Sequence, residues 1–207
     1  MRKTLFTCLL AFGALASYAQ VDLSKYLLQN YGFDQDFDYK ASQSNEVTQE
    51  IKDVKGWTAN LSANYTIVGT YEFGFKGTFN TASVPAKGYN GEAGGGLAIS
   101  TGWEQTFLFS QEVTLPAGKY TINVPTYNGS NVTAATSQLA WIPNAGTSKK
   151  STVTSYAANT WTLDKITFTL NTTTKGKIQF GMKAAAGGSA NTAKLVVDYV
   201  QILGENV

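Results

Sequence analysis

The stretch Thr106–Tyr127, TFLFSQEVTLPAGKYTINVPTY, contains two runs in which apolar and polar residues alternate. Alternation with a period of two residues is typical of β-strands that bury one face. Between the runs, Pro116 has a fixed φ and no N–H, and Gly118 tolerates positive φ, so the two favour a turn. The stretch therefore predicts a long antiparallel hairpin with one face in a core. The residues predicted to face that core are Phe107, Phe109, Val113, Leu115, Tyr120, Ile122 and Val124.

Short alternating segments recur along the rest of the chain, with turn-forming residues between them. We predict roughly ten short strands and no convincing amphipathic helix, a pattern that indicates a sandwich or a barrel. One predicted strand begins at Trp161 and contains a bulge near Asp164, where its alternation shifts. The last predicted strand runs from Lys194 to Leu203. The predicted fold class is therefore all-β.

Residues 1–19 have the pattern of a secretory signal peptide. Arg2 and Lys3 precede an apolar run, and small residues stand before Gln20, so cleavage is expected after Ala19. The apolar run is too short to cross a membrane as a helix, so no transmembrane segment is expected. It also contains the only cysteine of the chain. Residues 20–207 are expected to form a single β-domain, because about 190 residues suffice for one large core.

The composition of the mature chain excludes several kinds of chemistry. Loss of Arg2 and Lys3 from the 16 basic residues leaves 14, against 14 acidic residues, and no arginine or histidine remains. Because arginine side chains and basic faces dominate binding to nucleic acids, a nucleic-acid partner is not expected. Without histidine and cysteine, the usual zinc sites, Ser-His-Asp triads and Cys-His pairs cannot form.

Several short motifs follow one another in the order found in one protein family. They are Asn30-Tyr31-Gly32-Phe33-Asp34, Gly56-Trp57, Gly95-Gly96-Leu97-Ala98-Ile99, Gln111 with Leu115–Ile122, Trp161-Thr162 and Val197–Ile202. On these motifs the chain resembles carbohydrate-binding modules with the galactose-binding-like jelly roll. The general character of the sequence is also similar to that of secreted or surface proteins of Bacteroidetes. The resemblance implies a two-sheet antiparallel β-sandwich, with Asn30–Asp34 in its first strand.

Sugar binding needs flat aromatic faces for the C–H surface of a pyranose ring and short polar groups for its hydroxyls. Trp103, Tyr127 and Trp141 are the preferred candidates, because each stands near the start or end of a predicted strand, where its ring can face a groove. The further candidates are Tyr71, Tyr89, Asn123 and Asn128. The alternative for the aromatic residues is packing in the core. For Trp57 and Trp161 the resemblance implies that structural role.

Asp198 shares a face of the last predicted strand with Val196 and Val200, so its carboxylate conflicts with a plain core face. The resemblance implies that this position helps to hold a structural calcium ion, with Asn30 or Asp34 as a partner and backbone carbonyls completing an oxygen site. The alternative is that Asp198 accepts hydrogen bonds from backbone N–H groups. Both interpretations remain open from the sequence.

Three functions are compatible with these features. The first is a non-catalytic carbohydrate-binding module for a glycan or polysaccharide, secreted or exposed on the cell surface. The second is a structural or adhesive surface domain without a small ligand, which predicts that Trp103, Tyr127 and Trp141 are buried and that no groove exists. The third is a glycoside hydrolase, which requires two carboxylates about 5 to 10 Å apart in one cleft. No acidic residue stands in a recognisable glycosidase motif, so we do not expect an enzyme.

Overall fold

A computed structural model describes residues 19–48, 50–61, 66–79, 82–101, 106–129, 135–184 and 193–207. These ranges contain one short helix, α1 (Ser24–Leu27), and sixteen strands. The strands are β1 (Val21–Asp22), β2 (Glu46–Val47), β3 (Thr58–Leu61), β4 (Thr66–Glu72), β5 (Thr78–Phe79), β6 (Ala82–Ser83), β7 (Gly95–Thr101), β8 (Thr106–Leu115), β9 (Gly118–Asn128), β10 (Ala135–Ser137), β11 (Ala140–Pro143), β12 (Lys149–Lys150), β13 (Thr160–Leu170), β14 (Thr174–Ala184), β15 (Ala193–Val197) and β16 (Gln201–Glu205). No helix in these ranges is long and apolar enough to cross a membrane.

Most of the strands belong to two sheets that face each other as a sandwich. In the first sheet, β15 and β16 pair with successive parts of one edge of β9, and β13 pairs with the other edge. The first sheet also contains β1, β4 and β7, while the second contains β3, β8, β10, β11, β12 and β14. The small sheet formed by β2, β5 and β6 packs on the outer face of the first. The predicted all-β antiparallel sandwich is thus confirmed.

The stretch Thr106–Tyr127 does not form the predicted hairpin. Its first strand, β8, pairs with β14 and β3 in the second sheet, whereas β9 lies in the first sheet. The turn at Pro116 therefore carries the chain from one sheet to the other. The hydroxyl of Tyr120 donates a hydrogen bond to the carbonyl of Pro116 at 2.8 Å, which holds this crossing in place. The apolar residues of β8 and β9 contribute to one core from opposite sides.

The main core lies between the two sheets and is rich in aromatic rings. Phe109 stacks on Phe180 with their centroids 5.3 Å apart, and Trp57 meets the same Phe180 ring edge-on at 5.0 Å. A second cluster lies on the outer face of the first sheet, where Tyr71 packs against Phe79 of the small sheet. The first sheet is therefore covered on both faces in this region.

The last predicted strand consists of two strands separated by a loop. β15 ends at Val197 and β16 begins at Gln201, and both pair with β9. Opposite the gap lies Pro125, whose carbonyl accepts the N–H of Asp198 at 3.1 Å. Because proline has no N–H to return to its neighbour, the ladder is interrupted there. Residues 198–200 consequently leave the sheet, which resolves the conflict posed by a carboxylate on a core face.

Two other local predictions were wrong. The strand that contains Asp164 has no bulge, because β13 pairs with β9 in continuous register from Thr160 to Leu170. The segment Asn30–Asp34 is a turn and not the first strand, since Asn30 and Phe33 have φ values of 47° and 50°. Positive φ is incompatible with an extended strand. The turn nevertheless places the Phe33 ring in the core, 6.0 Å from Trp57.

Candidate functional site

A cleft of about 320 Å³ lies where the loop between β15 and β16 meets three earlier segments of the chain. Its lining consists of Asp22, Ser24, Tyr31, Gly32, Asp34, Asn90, Glu92, Ala93, Gly94, Gly95, Asp198, Tyr199 and Gln201. Two aromatic rings thus stand among carboxylates, amides and a hydroxyl. A concave site with this mixture of flat and polar groups is suited to a small polar ligand.

One wall of the cleft is held by a chain of hydrogen bonds. Gln201 Nε2 donates to Asp22 Oδ2 at 2.9 Å, and Gln201 Oε1 accepts from Asn123 Nδ2 at 3.0 Å. Asp22 Oδ1 accepts from both the backbone N–H and the hydroxyl of Ser24, at 2.9 and 2.6 Å. Burial acts to raise the pKa of Asp22, but the hydrogen bonds from Ser24 and Gln201 and the nearby Lys25 outweigh it and lower the pKa. The wall is therefore ordered and anionic.

The two tyrosines of the cleft are both accessible. Tyr31 is 37% exposed, and its carbonyl accepts the N–H of Val200 at 2.8 Å, which ties the turn before β2 to the loop after β15. Tyr199 is partly buried. Burial raises the pKa of Tyr199, the charges of Asp198 and Glu92 add to the shift, and a hydrogen bond with Asn90 opposes it. The Tyr199 hydroxyl therefore stays protonated at neutral pH, next to two acidic side chains.

Asp198 is the most buried carboxylate of the cleft, with 8% of the residue exposed. Its Oδ2 accepts the backbone N–H of Tyr89 at 2.6 Å, and Gly88 lies so close that a Cβ there would stand 2.7 Å from the same oxygen. Burial raises the pKa of Asp198 and the charge of Glu92 raises it further, against the effect of the Tyr89 bond. Perturbed carboxyl groups of this kind are frequent at functional sites.

We expect Asp198→Asn to raise the melting temperature at pH 7. The pKa of the folded carboxyl lies above the ordinary value of 3.8, so stability falls as pH rises from 3.8 through the folded pKa and stays lower above it. Asparagine keeps an oxygen for Tyr89 N–H and removes the buried charge. The gain should be absent near pH 3 and should appear in thermal denaturation followed by circular dichroism as pH increases. Asp198→Ala, which strands the Tyr89 N–H, should show no such gain, and equal stabilisation by both variants would contradict this explanation.

Of the residues predicted as sugar contacts with aromatic rings, those that the structure describes do not line this cleft. Trp141 is 1% exposed, and its ring is stacked on Phe168 with centroids 5.5 Å apart and an angle of 3° between the planes. Tyr71 is fully buried in the cluster beneath the small sheet. Both belong to the core, so their assignment as sugar contacts is corrected: neither ring has a free face. Trp103 lies outside the residues that the structure describes.

Tyr127 and Tyr89 belong to a second aromatic group, on the outer face of the first sheet. Tyr127 lies opposite Trp161 in the β9–β13 ladder, and their ring centroids are 5.4 Å apart at 61°. Tyr89 meets the same Trp161 edge-on at 6.3 Å and 77°. None of the three side chains lines the cleft. Because neighbouring rings meet edge to face, this group offers no continuous flat surface, and sugar contact by Tyr127 or Tyr89 stays a prediction.

The two predicted amides have different positions. Asn128 is 1% exposed and its Nδ2 donates to the carbonyl of Tyr156 at 2.8 Å, so its assignment as a sugar contact is corrected to a structural role. Asn123 is 9% exposed and does not line the cleft, but it holds Gln201, which does. Asn123 therefore orients a cleft residue and does not itself line the cleft.

The residues predicted to hold calcium are only partly brought together. Asp34 and Asp198 line the same cleft, whereas Asn30 does not. Asn30 Nδ2 donates to the carbonyl of Lys55 at 3.4 Å, and the backbone carbonyl of Asn30 accepts the indole N–H of Trp57 at 3.2 Å. Among the described residues, the buried Asn30 Oδ1 has no hydrogen-bond partner. No group of three or more acidic, histidine or cysteine side chains in the described ranges is arranged to hold a metal ion. A calcium site formed by Asp198 with Asn30 or Asp34 and backbone carbonyls stays a prediction.

The sequence interpretation missed the main cleft residues Tyr31, Tyr199, Glu92, Asn90, Asp22 and Gln201. They come from segments that are distant in sequence. The pairing of β1 with β16 brings Asp22 near Gln201, and hydrogen bonds from Val200 N–H to the Tyr31 carbonyl and from Tyr89 N–H to Asp198 hold the other segments against the loop after β15. One local signal was present: the carboxylate of Asp198 on an apparent core face indicated that the strand could not be continuous there. Tyr199, the next residue, then belongs to a loop and not to a strand.

Comparisons with known proteins identify the fold. No family model matches this chain, and no curated protein matches it. Among solved structures, the chain is similar to TmCBM61, determined in complex with beta-1,4-galactotriose, with 17% identity over 86% of this chain and 97% of that one and a TM-score of 0.55. The CBM22-1 xylan-binding domain of Xyn10C from Paenibacillus barcinonensis overlaps 77% of this chain and 92% of its own, with 13% identity and a TM-score of 0.45. The likeness to TmCBM61 and the two facing antiparallel sheets show that this chain has a jelly-roll sandwich fold.

Proposed function

We propose that this protein is a non-catalytic carbohydrate-binding module that holds a glycan or polysaccharide in the cleft around Tyr199. The observation that carries the proposal is that Tyr31 and Tyr199 stand in one cleft with fixed carboxylate and amide groups. A pyranose ring presents apolar C–H faces that pack on aromatic rings and hydroxyls that donate to carboxylates. Because Asp22 and Gln201 are already oriented by hydrogen bonds, little ordering is needed on binding.

The likeness to TmCBM61, a module solved with a bound galactotriose, supports this proposal at the level of the fold. A shared fold does not determine the ligand, so the contacts are assigned from the cleft of this chain alone. The alternative of a purely structural surface domain predicts no groove, and the presence of the cleft therefore favours a binding function.

The proposal includes a location of the mature protein outside the cytoplasm: secreted, periplasmic or on the cell surface. It follows from the signal-peptide pattern of residues 1–19, with cleavage near Ala19. Sequencing the N-terminus of the protein recovered from its natural host tests this part, and a mature chain that still begins at Met1 would refute it.

We expect Tyr199→Ala to weaken glycan binding by about fivefold or more, because loss of a stacking ring in a site removes about 1–3 kcal/mol. Tyr199→Phe keeps the ring and should retain most of the affinity. The ligand is first identified on an array of plant and host glycans, and the dissociation constants of the variants are then measured by isothermal titration calorimetry.

Tyr26→Ala is the matched control for this experiment. Tyr26 is 71% exposed and lies outside the cleft lining, so its loss removes an accessible ring without touching the site. Equal loss of affinity in the Tyr26 and Tyr199 variants would rule out the cleft as the binding site. Absence of binding to every glycan on the array would overturn the proposed function itself.

The same samples test whether the module is non-catalytic. The cleft contains Glu92 and Asp198, and two carboxylates in one cleft are what a glycosidase requires. We expect no release of reducing ends from a bound glycan during prolonged incubation. Release that is abolished by Glu92→Gln would show hydrolysis and refute the non-catalytic assignment.

A further inference from the structure

We propose that the cleft prefers sugar units that carry a free amine over the corresponding neutral units. The inference rests on the proposed glycan-binding function and names the chemical class of the ligand. It follows from the charge of the cleft lining, from the burial of one carboxylate, and from the size of the space.

The cleft carries one sign of charge. Among the described residues, the carboxylates of Asp22, Asp34, Glu92 and Asp198 line it, and no lysine does. The chain has no histidine, and its single arginine is Arg2. Lys25 is exposed and influences Asp22 from outside the lining. A ligand in the cleft therefore meets a negative potential that the lining itself does not neutralise.

The carboxylate of Asp198 contributes most to this negative potential, because it is the least screened by solvent. Asp34 and Glu92 are exposed, so water and salt screen them, but only 8% of Asp198 is exposed. Its Oδ2 is bound by the backbone N–H of Tyr89, a neutral donor. No lysine within the described ranges forms an ion pair with Asp198. A buried carboxylate in such surroundings is unfavourable, and a cation placed next to it relieves that penalty. An ammonium group on the ligand can supply this missing charge.

The volume of the cleft limits how much of a glycan can enter. At about 320 Å³, it is at the lower end of the range of about 300–1,000 Å³ that small-molecule sites occupy. This space suits one or two sugar units. The amine must therefore be on the unit in the cleft, and the affinity should depend on the substituent of that unit and not on the overall charge of a long chain.

The test uses β-linked disaccharides of glucosamine and of galactosamine. Each is compared with its N-acetylated form, which has the same attachment atom without the charge, and with its parent that carries a hydroxyl at C2. At about pH 6.5, below the pKa of about 7.7 to 8.0 of an α-amino group, the amines are largely protonated. In calorimetric titrations with the full mature chain at low salt, we expect the amine form of at least one series to bind about tenfold more tightly than both uncharged forms.

Glu92→Gln and Glu112→Gln form a matched pair of variants. Glu92 lines the cleft, whereas Glu112 is exposed on β8 and pairs with Lys175 at 3.0 Å. The ratio of amine to neutral affinity should fall about threefold or more in the Glu92 variant and remain unchanged in the Glu112 variant. If no amine form binds more tightly than its uncharged partners, the inference is overturned. If neutral glycans still bind in that case, the proposed function stands, and if no glycan binds at all, both fail.

Discussion

Replacing Asp164 with alanine is expected to lower the free energy of unfolding by about 3–5 kcal/mol, because three hydroxyl groups lose a shared buried acceptor. Asp164 is 2% exposed on the inner face of β13. Its carboxylate accepts hydrogen bonds from the hydroxyls of Ser137 and Ser151, and from that of Tyr156 at 3.1 Å. The substitution would also leave a cavity, which adds to the loss of stability.

The network around Asp164 joins the first sheet to segments at the edge of the second. Ser137 Oγ also accepts the N–H of Leu139 at 3.0 Å, and Ser151 Oγ accepts that of Val153 at 3.1 Å. Loss of the carboxylate therefore releases two hydroxyls that themselves accept hydrogen bonds from backbone N–H groups. Urea unfolding followed by circular dichroism measures the effect, which should be at least as large as that of removing one core side chain.

Lys165→Ala and Asp164→Asn are the controls for this prediction. Lys165 is the next residue on the same strand and is exposed, so its loss should change stability by no more than about 0.5 kcal/mol. The Asp164→Asn variant would keep one acceptor oxygen and should be destabilised less than the alanine variant. A loss below about 1 kcal/mol in Asp164→Ala would show that the three hydroxyls do not depend on this carboxylate.

The strands were largely predictable from the sequence, but their assignment to sheets was not. Alternation in Thr106–Tyr127 reports which side chains are buried, and Phe107 and Ile122 are indeed in the core. The same alternation arises whether two strands lie side by side or face each other across a sandwich, so it could not reveal the crossing at Pro116. Only long-range pairing, such as that of β8 with β14, decides between these arrangements.

The site was less predictable than the fold for a related reason. Tryptophan near a strand end suggested exposure of Trp141, yet the ring lies on the core side, where it stacks on Phe168. Tyr199 was not a candidate because the alternation predicts one continuous strand across it. Its exposure depends on the break opposite Pro125, a residue more than 70 positions away. Local sequence patterns do not show which distant residue lies opposite a strand. The one local indication of the break was Asp198, a carboxylate on the predicted core face of the strand.

Replacing Gly181 with alanine is expected to lower the free energy of unfolding by about 2–5 kcal/mol, from backbone strain and steric overlap together. Gly181 lies within β14, opposite Leu108 of β8, and has a φ of 141°. Residues with a side chain rarely adopt this backbone conformation. A Cβ at this position would overlap the carbonyl oxygen of Phe107 and stand 3.0 Å from its carbonyl carbon.

Gly91→Ala separates the two contributions at Gly181. Gly91 also has positive φ, 79°, but no atom lies within 4 Å of the position that its Cβ would take. Its substitution should therefore cost only the conformational part, about 1 kcal/mol. Because the atoms around Gly181 belong to the backbone of β8, they cannot move aside without breaking the β8–β14 ladder that carries Phe109 and Phe180 into the core. Similar midpoints for the two variants in urea would contradict the close approach of the two strands.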